Sequence, residues 1–290
     1  MITDIKNKYR YGSVITKLLL INVLVFVIQS IILLIFTLSG RQEIFTGFLN
    51  HFYFPAKLSE FIIKPWSIIT FQFLHDPLGI FHILFNMLYL YFFGRIILDF
   101  LNSRYIFPLY LTGGIIGGLL FMVTYNLSPA FQNNAVLFGA SASVLAIVVA
   151  AATLAPDYTV FLILIGAVKL KYIAFIAILI DIVSISARSN EGGHLSHLGG
   201  ALAGFLFIKS YQRGYNWFNW YFKLEDRIKN YRSRKPKVVY VNTAPKKTKS
   251  IVSDDRQKKL DAILDKISKS GYESLNAAEK EFLFTVSKEK

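Results

Sequence analysis

Two uninterrupted apolar runs decide what this chain can fold into. Leu18 to Leu38 and Ile106 to Leu127 contain no charged residue, and each is long enough to cross a hydrocarbon core of ~30 Å as a helix. In lipid no water is available to satisfy a bare backbone, so a spanning segment of this kind must be helical. With 54% hydrophobic and 17% charged residues, the chain is too apolar for an ordinary soluble domain. It has no cysteine, which excludes disulfides, thiol catalysis and iron–sulfur chemistry. A formal net charge of +14 would suggest nucleic acid in a soluble protein. Here the charge gathers at the two ends and between apolar runs, the pattern of positive-inside anchoring at a lipid surface. No nucleic-acid partner is expected. The first run is too long for a cleaved signal peptide and no small-residue cleavage site precedes the loop that follows it.

Along the chain, Lys6, Lys8, Arg10 and Lys17 form a basic flank before a first span at about 18–38. Residues 39–77 mix bulky aromatics such as Phe45, Phe52 and Trp66 with scattered charges, as a loop lying in the membrane interface would. Further spans are expected at about 79–98, 106–127 and 138–155. Lys169 and Lys171 interrupt the next apolar stretch, so 158–168 reads as a short membrane-associated loop and 172–187 as a fifth span. A sixth follows at about 194–211. Six spans put both termini on one side, and the basic flanks make that side the cytoplasm. The expected fold is therefore an all-α membrane protein, a six-transmembrane-helix bundle with a cytoplasmic C-terminal tail. Three regions are expected: 1–211 as the membrane domain, 212–253 as a basic, aromatic interfacial segment and linker, and 254–290 as a small two-helix appendage. Within the middle region, 236–253 reads as a flexible linker. In the last region Leu260, Ile263, Leu264 and Ile267 fall at helical spacing, Gly271 can end that helix, and Asn276 with Glu279 forms a capping box for the next.

Polar groups inside apolar spans are costly and need a reason. They are His82 and Asn86, Ser141, and the pair His194/His197. With both termini inside, spans two, four and six all begin on the outer side, which places these groups at a similar shallow depth. Ala142, Ala146 and Ala150 recur every four residues on span four, and Gly200 and Gly204 do so on span six. Small residues at that spacing let helices approach closely in lipid, so a hydrogen bond between Ser141 and His197 is feasible. A histidine can act as general base near neutral pH, and a serine hydroxyl needs such a base to become a nucleophile. His82 and Asn86, four apart on one helix face, can supply side-chain N–H groups to an oxyanion beside the Ser141 backbone N–H.

The run His82-Ile-Leu-Phe-Asn86-Met87, the turn Gly139-Ala-Ser141-Ala, and His197-Leu-Gly-Gly200 resemble the three signature regions of rhomboid intramembrane proteases, in the same order and on spans two, four and six. Trp66 to Thr70 and Leu109-Tyr-Leu-Thr-Gly-Gly114 are also similar to family segments, and the likeness covers roughly residues 10–211. It implies a six-helix core and a Ser–His dyad without a carboxylate, hydrolysing a peptide bond in or near the transmembrane helix of a membrane-protein substrate. Ser141 would be the nucleophile, His197 the base, His82 and Asn86 the oxyanion donors, and Gly139, Gly200 and Gly204 packing residues near the site. The two-helix tail is similar to those of rhomboids from Bacteroidetes-type bacteria, so the expected location is a bacterial inner membrane. No cofactor and no metal are expected, and the oligomeric state is not readable.

Three positions depart from the family pattern. Ala142 stands where the family usually has Gly, and its methyl would crowd the oxyanion site. Leu145 stands where some members place an aromatic that supports the base. His75 precedes His82 by seven residues instead of five, so it is given no role. Ser143 competes with Ser141 as nucleophile; His194 reads as structural before it reads as a support to the site or an interfacial residue; Asp181 is either functional or, more plainly, close to the outer surface. Two other classes stay open: a catalytically silent rhomboid-like protein that binds membrane helices, and a membrane metal or haem protein using His82, His194 and His197.

Overall fold

The computed structural model describes residues 12–131, 135–162, 165–187, 190–232 and 251–288. The chain divides into two compact units, Met1–Ser233 and Arg234–Lys290. Twelve α-helices and four short strands lie among the described residues.

Helix α1, Val14–Leu38, starts four residues ahead of the expected span because Ser13 caps it, its hydroxyl accepting from the Thr16 N–H at 3.2 Å. Only Ile15, Leu18, Asn22 and Gln29 are buried, and large apolar side chains such as Leu24, Ile31 and Leu38 are exposed. An apolar helix that exposes its surface in this way has lipid for a solvent. The segment expected as an interfacial loop carries three short helices, α2 (Gln42–Asn50), α3 (Leu58–Ile63) and α4 (Ser67–Thr70), with strand β1 (Phe54–Pro55) between the first two. Helices α5 (Ile80–Phe100) and α6 (Ile106–Leu127) follow. Strand β2 (Val136–Leu137) pairs antiparallel with β1 and leads into α7, Ser141–Leu154.

Residues 158–168, expected as a loop, instead contain most of an antiparallel hairpin of β3 (Thr159–Leu162) and β4 (Gly166–Lys169). Gly166, at φ +90°, supplies the left-handed turn residue that closes it. Lys169 and Lys171 converge on Asp157 at 3.0 and 2.9 Å, tying the hairpin's base to the start of α8, Leu170–Ser186. Helix α9, Glu191–Gln212, begins three residues before the expected sixth span.

Among the described residues, length and composition allow three helical segments to cross a membrane: Val14–Leu38, Ile80–Phe100 and Ser103–Leu127. Helix α7 has 14 residues, about 21 Å of helix at 1.5 Å per residue. Helix α8 has 17 residues, about 26 Å. Helix α9 is long enough at 22 residues but carries Glu191, His194, His197 and Lys209.

The core of this unit is held by missing side chains. A Cβ at Gly200 would land on the Ala142 carbonyl oxygen, and one at Gly204 on that of Ala146. Helix α6 joins at the same seam: Gly199 and Gly117 bring α9 and α6 together, and a Cβ at Gly113 would strike the Ala146 methyl. The small stripes on α7 and α9 thus face each other, with a third glycine stripe on α6 completing a three-helix contact.

A buried polar chain binds the other elements to this seam. The Tyr110 hydroxyl donates to the Gln72 carbonyl at 2.8 Å and lies 3.4 Å from the Asn22 amide on α1. The Gln72 side chain accepts from Ser143 Oγ at 3.0 Å. At the far end of the unit, Arg104 bonds Glu225 at 2.8 Å and Asp226 at 2.7 Å, and its guanidinium sits over the Phe222 ring, docking helix α10 (Asn219–Arg232). The second unit contains α11 (Ile251–Ser270) and α12 (Ala277–Lys288). Gly271 ends the first at φ +76°. Asn276 and Glu279 cap the second reciprocally, each backbone N–H bonded to the other's side chain at 2.8 Å. The linker expected at 236–253 lies outside the described residues up to residue 250.

Candidate active site

The β1–β2 pairing lays the segment before α7 against the interfacial loop, and the Gly139 N–H donates to the Phe71 carbonyl at 2.9 Å. Gly139 holds φ +125°, a conformation side-chain-bearing residues rarely adopt. Space there is tight as well: an added Cβ would stand 3.3 Å from His82 Cε1, on the floor of the site. Two residues later Ser141 opens α7; the first backbone N–H groups of a helix have no partner within it and favour a negative charge.

Ser141 Oγ lies 2.6 Å from His197 Nε2. The other ring nitrogen of His197, Nδ1, lies 2.8 Å from Asp181 Oδ1. A carboxylate oxygen only accepts, so Nδ1 carries the proton and Nε2 presents its lone pair to the serine hydroxyl. His194 Nδ1 reaches the same Asp181 oxygen at 2.6 Å. Asp181, on α8, is 5% exposed. It is buried and bonded to both histidines of α9, so it lies at their depth in the bundle. The family resemblance implied a dyad without a carboxylate; in this chain a carboxylate lies against the second ring nitrogen of His197. A buried carboxylate needs such donors, since an unpaired one in this environment is costly.

A cavity of about 630 Å³ opens on these groups. Helices α5, α7, α8 and α9 and the hairpin all contribute to its wall, and it contains Ser141, His82, Asn86, Asp181, His194 and His197. The rest of the lining is apolar, Phe81, Phe85 and Leu145 among it. Asn86 is 7% exposed and donates one N–H to the His82 carbonyl at 2.9 Å. An amide has two such hydrogens, so one remains for a ligand.

Ala142, whose methyl was expected to crowd the oxyanion site, does not line this cavity. Its side chain lies in the helix seam, where a Cβ on Gly117 would meet it at 2.8 Å. Ser143 is fully buried and committed to Gln72. His82, grouped with His194 and His197 under the metal reading, lies beside Gly139, while the close cluster on His194 and His197 is completed by Asp181. His75, given no role, is fully buried 5.5 Å ring to ring from His82, with neither ring nitrogen in a well-formed hydrogen bond among the described residues.

Sequence reasoning missed Asp181 and Gln72 as parts of this assembly. The signal for Asp181 was available: a carboxylate inside an apolar run, and two histidines three apart on one face of the following helix.

Residues 63–213 match the Rhomboid domain family, and this chain belongs to the rhomboid family. Residues 253–289 match a second family, one of unknown function (DUF6576). No curated protein matches the chain. Rhomboid membership, together with the apolar helices, makes this a multi-pass membrane protein.

Proposed function

We propose that this rhomboid is an active intramembrane serine endopeptidase, cleaving transmembrane helices of membrane-protein substrates. The observation that carries the reading is the 2.6 Å contact between Ser141 Oγ and His197 Nε2 inside a largely apolar cavity. As the Ser141 oxygen attacks the scissile carbonyl carbon, its proton passes to His197 Nε2. The tetrahedral oxyanion takes hydrogen bonds from the N–H groups at the start of α7, with His82 and Asn86 as side-chain donors. His197 then returns the proton to the leaving nitrogen as the C–N bond breaks. Water, deprotonated by the same imidazole, attacks the acyl ester and frees the serine.

A substrate helix enters between α5 and α8, both of which wall the cavity and carry exposed apolar residues, Phe85 and Ile180 among them. It must unwind locally, because a helix's own hydrogen bonds shield its carbonyls, so substrates carry Gly, Pro or polar residues near the cleaved bond. The full architecture in this reading has six spans, with α7, α8 and α9 as the last three. Both termini face the cytoplasm of a bacterial inner membrane, in keeping with the basic Lys169 and Lys171 beside the hairpin and the basic tail. Residues 1–211 make up the membrane domain, and 254–290 an appendage.

Labelling with a serine-reactive fluorophosphonate tests this directly. The parent and Ser143→Ala should react, whereas Ser141→Ala and His197→Ala should not. A Ser141→Ala variant that cleaves a reporter transmembrane substrate as fast as the parent would refute the proposal.

A further inference from the structure

The rhomboid resemblance brings a two-residue engine, serine and base. This chain places a third and a fourth group behind them. Asp181 Oδ1 accepts from His197 Nδ1 at 2.8 Å and from His194 Nδ1 at 2.6 Å, and the carboxylate is buried. The two histidines stand three apart on α9, one turn of helix, with their rings 5.5 Å apart and nearly perpendicular. That geometry lets both Nδ1 atoms reach a single oxygen on α8. The line Ser141–His197–Asp181–His194 is continuous, each gap 2.8 Å or less.

We propose that Asp181 is a positioning residue for the protease chemistry, which makes this rhomboid a Ser–His–Asp enzyme, and that His194 anchors Asp181. The inference rests on the serine-protease reading above. Asp181 never touches substrate. It holds His197 in the tautomer whose Nε2 is free to take the Ser141 proton, and fixes the plane of the ring. When the imidazolium forms, the carboxylate beside it offsets the new charge without itself becoming protonated. His194 supplies a second donor to the same oxygen, which keeps the buried carboxylate from being left without a partner when His197 shifts during the reaction.

Asp181→Asn is the informative variant, because it keeps the size of the side chain and can keep the α8–α9 contact. Its amide can donate to His197 Nδ1, which forces the proton onto Nε2 and leaves the base unable to accept. The expected result in the full-length protein is a fall in the fluorophosphonate labelling rate of about 10²–10⁴-fold. For the reporter substrate kcat should fall by a similar factor with KM unchanged, and the thermal midpoint in detergent should be close to the parent's. Asp181→Glu, which keeps the acceptor, should recover part of the rate. His194→Phe should lower labelling by a smaller factor, since His197 keeps its partner.

If the parent and Asp181→Asn label at the same rate while Ser141→Ala is silent, the protease reading stands and this inference fails. It fails equally if Asp181→Asn alters KM and stability but leaves kcat intact. A parent that does not label overturns both.

Discussion

At the scale of single residues, the site depends on which polar groups are paired and which are not. His75 is the least-paired case, a fully buried imidazole whose ring nitrogens have no well-formed hydrogen bond among the described residues and only the Phe73 backbone to favour a proton. Burial first, and His82 second, hold its pKa down to about 4, well below the usual value for histidine. The charged groups around it are few, with Asp76 next in the chain and the neutral Gln29 amide bonded to its backbone. In the unfolded chain the same ring takes up a proton near its ordinary pKa of about 6.5. Below that value the unfolded state binds more protons than the folded one, so stability falls as the pH drops from about 6.5 toward 4. The loss should reach about 3 kcal/mol at the lower end. Thermal melting in detergent at about pH 7.5 and about pH 4.5, either side of most of that window, should therefore show a destabilisation that His75→Phe reduces. How much of the site could be read from the sequence also differs residue by residue. Ser141, His197, His82 and Asn86 were legible because each is a polar residue inside an apolar run with a spacing that chemistry requires. Asp181 was equally polar and equally misplaced, but its meaning depends on how α8 and α9 sit against each other, which no local pattern encodes. Gln72 could not be seen at all: a glutamine in an interfacial loop is ordinary until Ser143 is found bonded to it.

Among the elements, α7 and α9 govern how Ser141 and His197 are aligned. Their contact is set by Gly200 over the Ala142 carbonyl and Gly204 over that of Ala146. Because those partners are backbone atoms, they cannot swing aside. Gly200→Ala should therefore separate the helices and lower stability by about 1–3 kcal/mol or more. The measurement is a thermal melt paired with the labelling rate, and both should fall together. Ala142→Gly should leave labelling near the parental rate, because Ala142 does not line the cavity. The alanine and glycine stripes of α7 and α9 were readable as a packing code. The hairpin β3–β4 was not read, although Thr159, Val160 and Gly166 are strand and turn residues. Its high apolar content masked the pattern, since a continuous apolar run looks alike in a strand and in a short helix.

For the whole molecule, the number of crossings is harder to read than the presence of a membrane. Apolar length identifies three segments outright. The other three helices of the proposed bundle depart from that rule: α7 is short, starting only at Ser141, and α9 is polar, carrying His194 and His197. Helix α8 departs as well, and differently. It spans about 26 Å in 17 residues yet presents Phe175, Leu179 and Val183 outward, away from the cavity. Lipid beside it must accommodate a hydrophobic band narrower than a ~30 Å core, and bilayers do so by thinning, at a cost of fractions of a kcal/mol per Å. The protein would then carry a dimple in the membrane along the flank proposed for substrate entry. Reconstituted in vesicles of graded acyl length, it should cleave fastest in the thinner bilayers, with the rate falling as the chains lengthen. A helix sliding into that dimple finds its own apolar length suddenly too great for the film around it. Hydrophobic mismatch, before any contact with Ser141, would begin pushing one end of the substrate toward water.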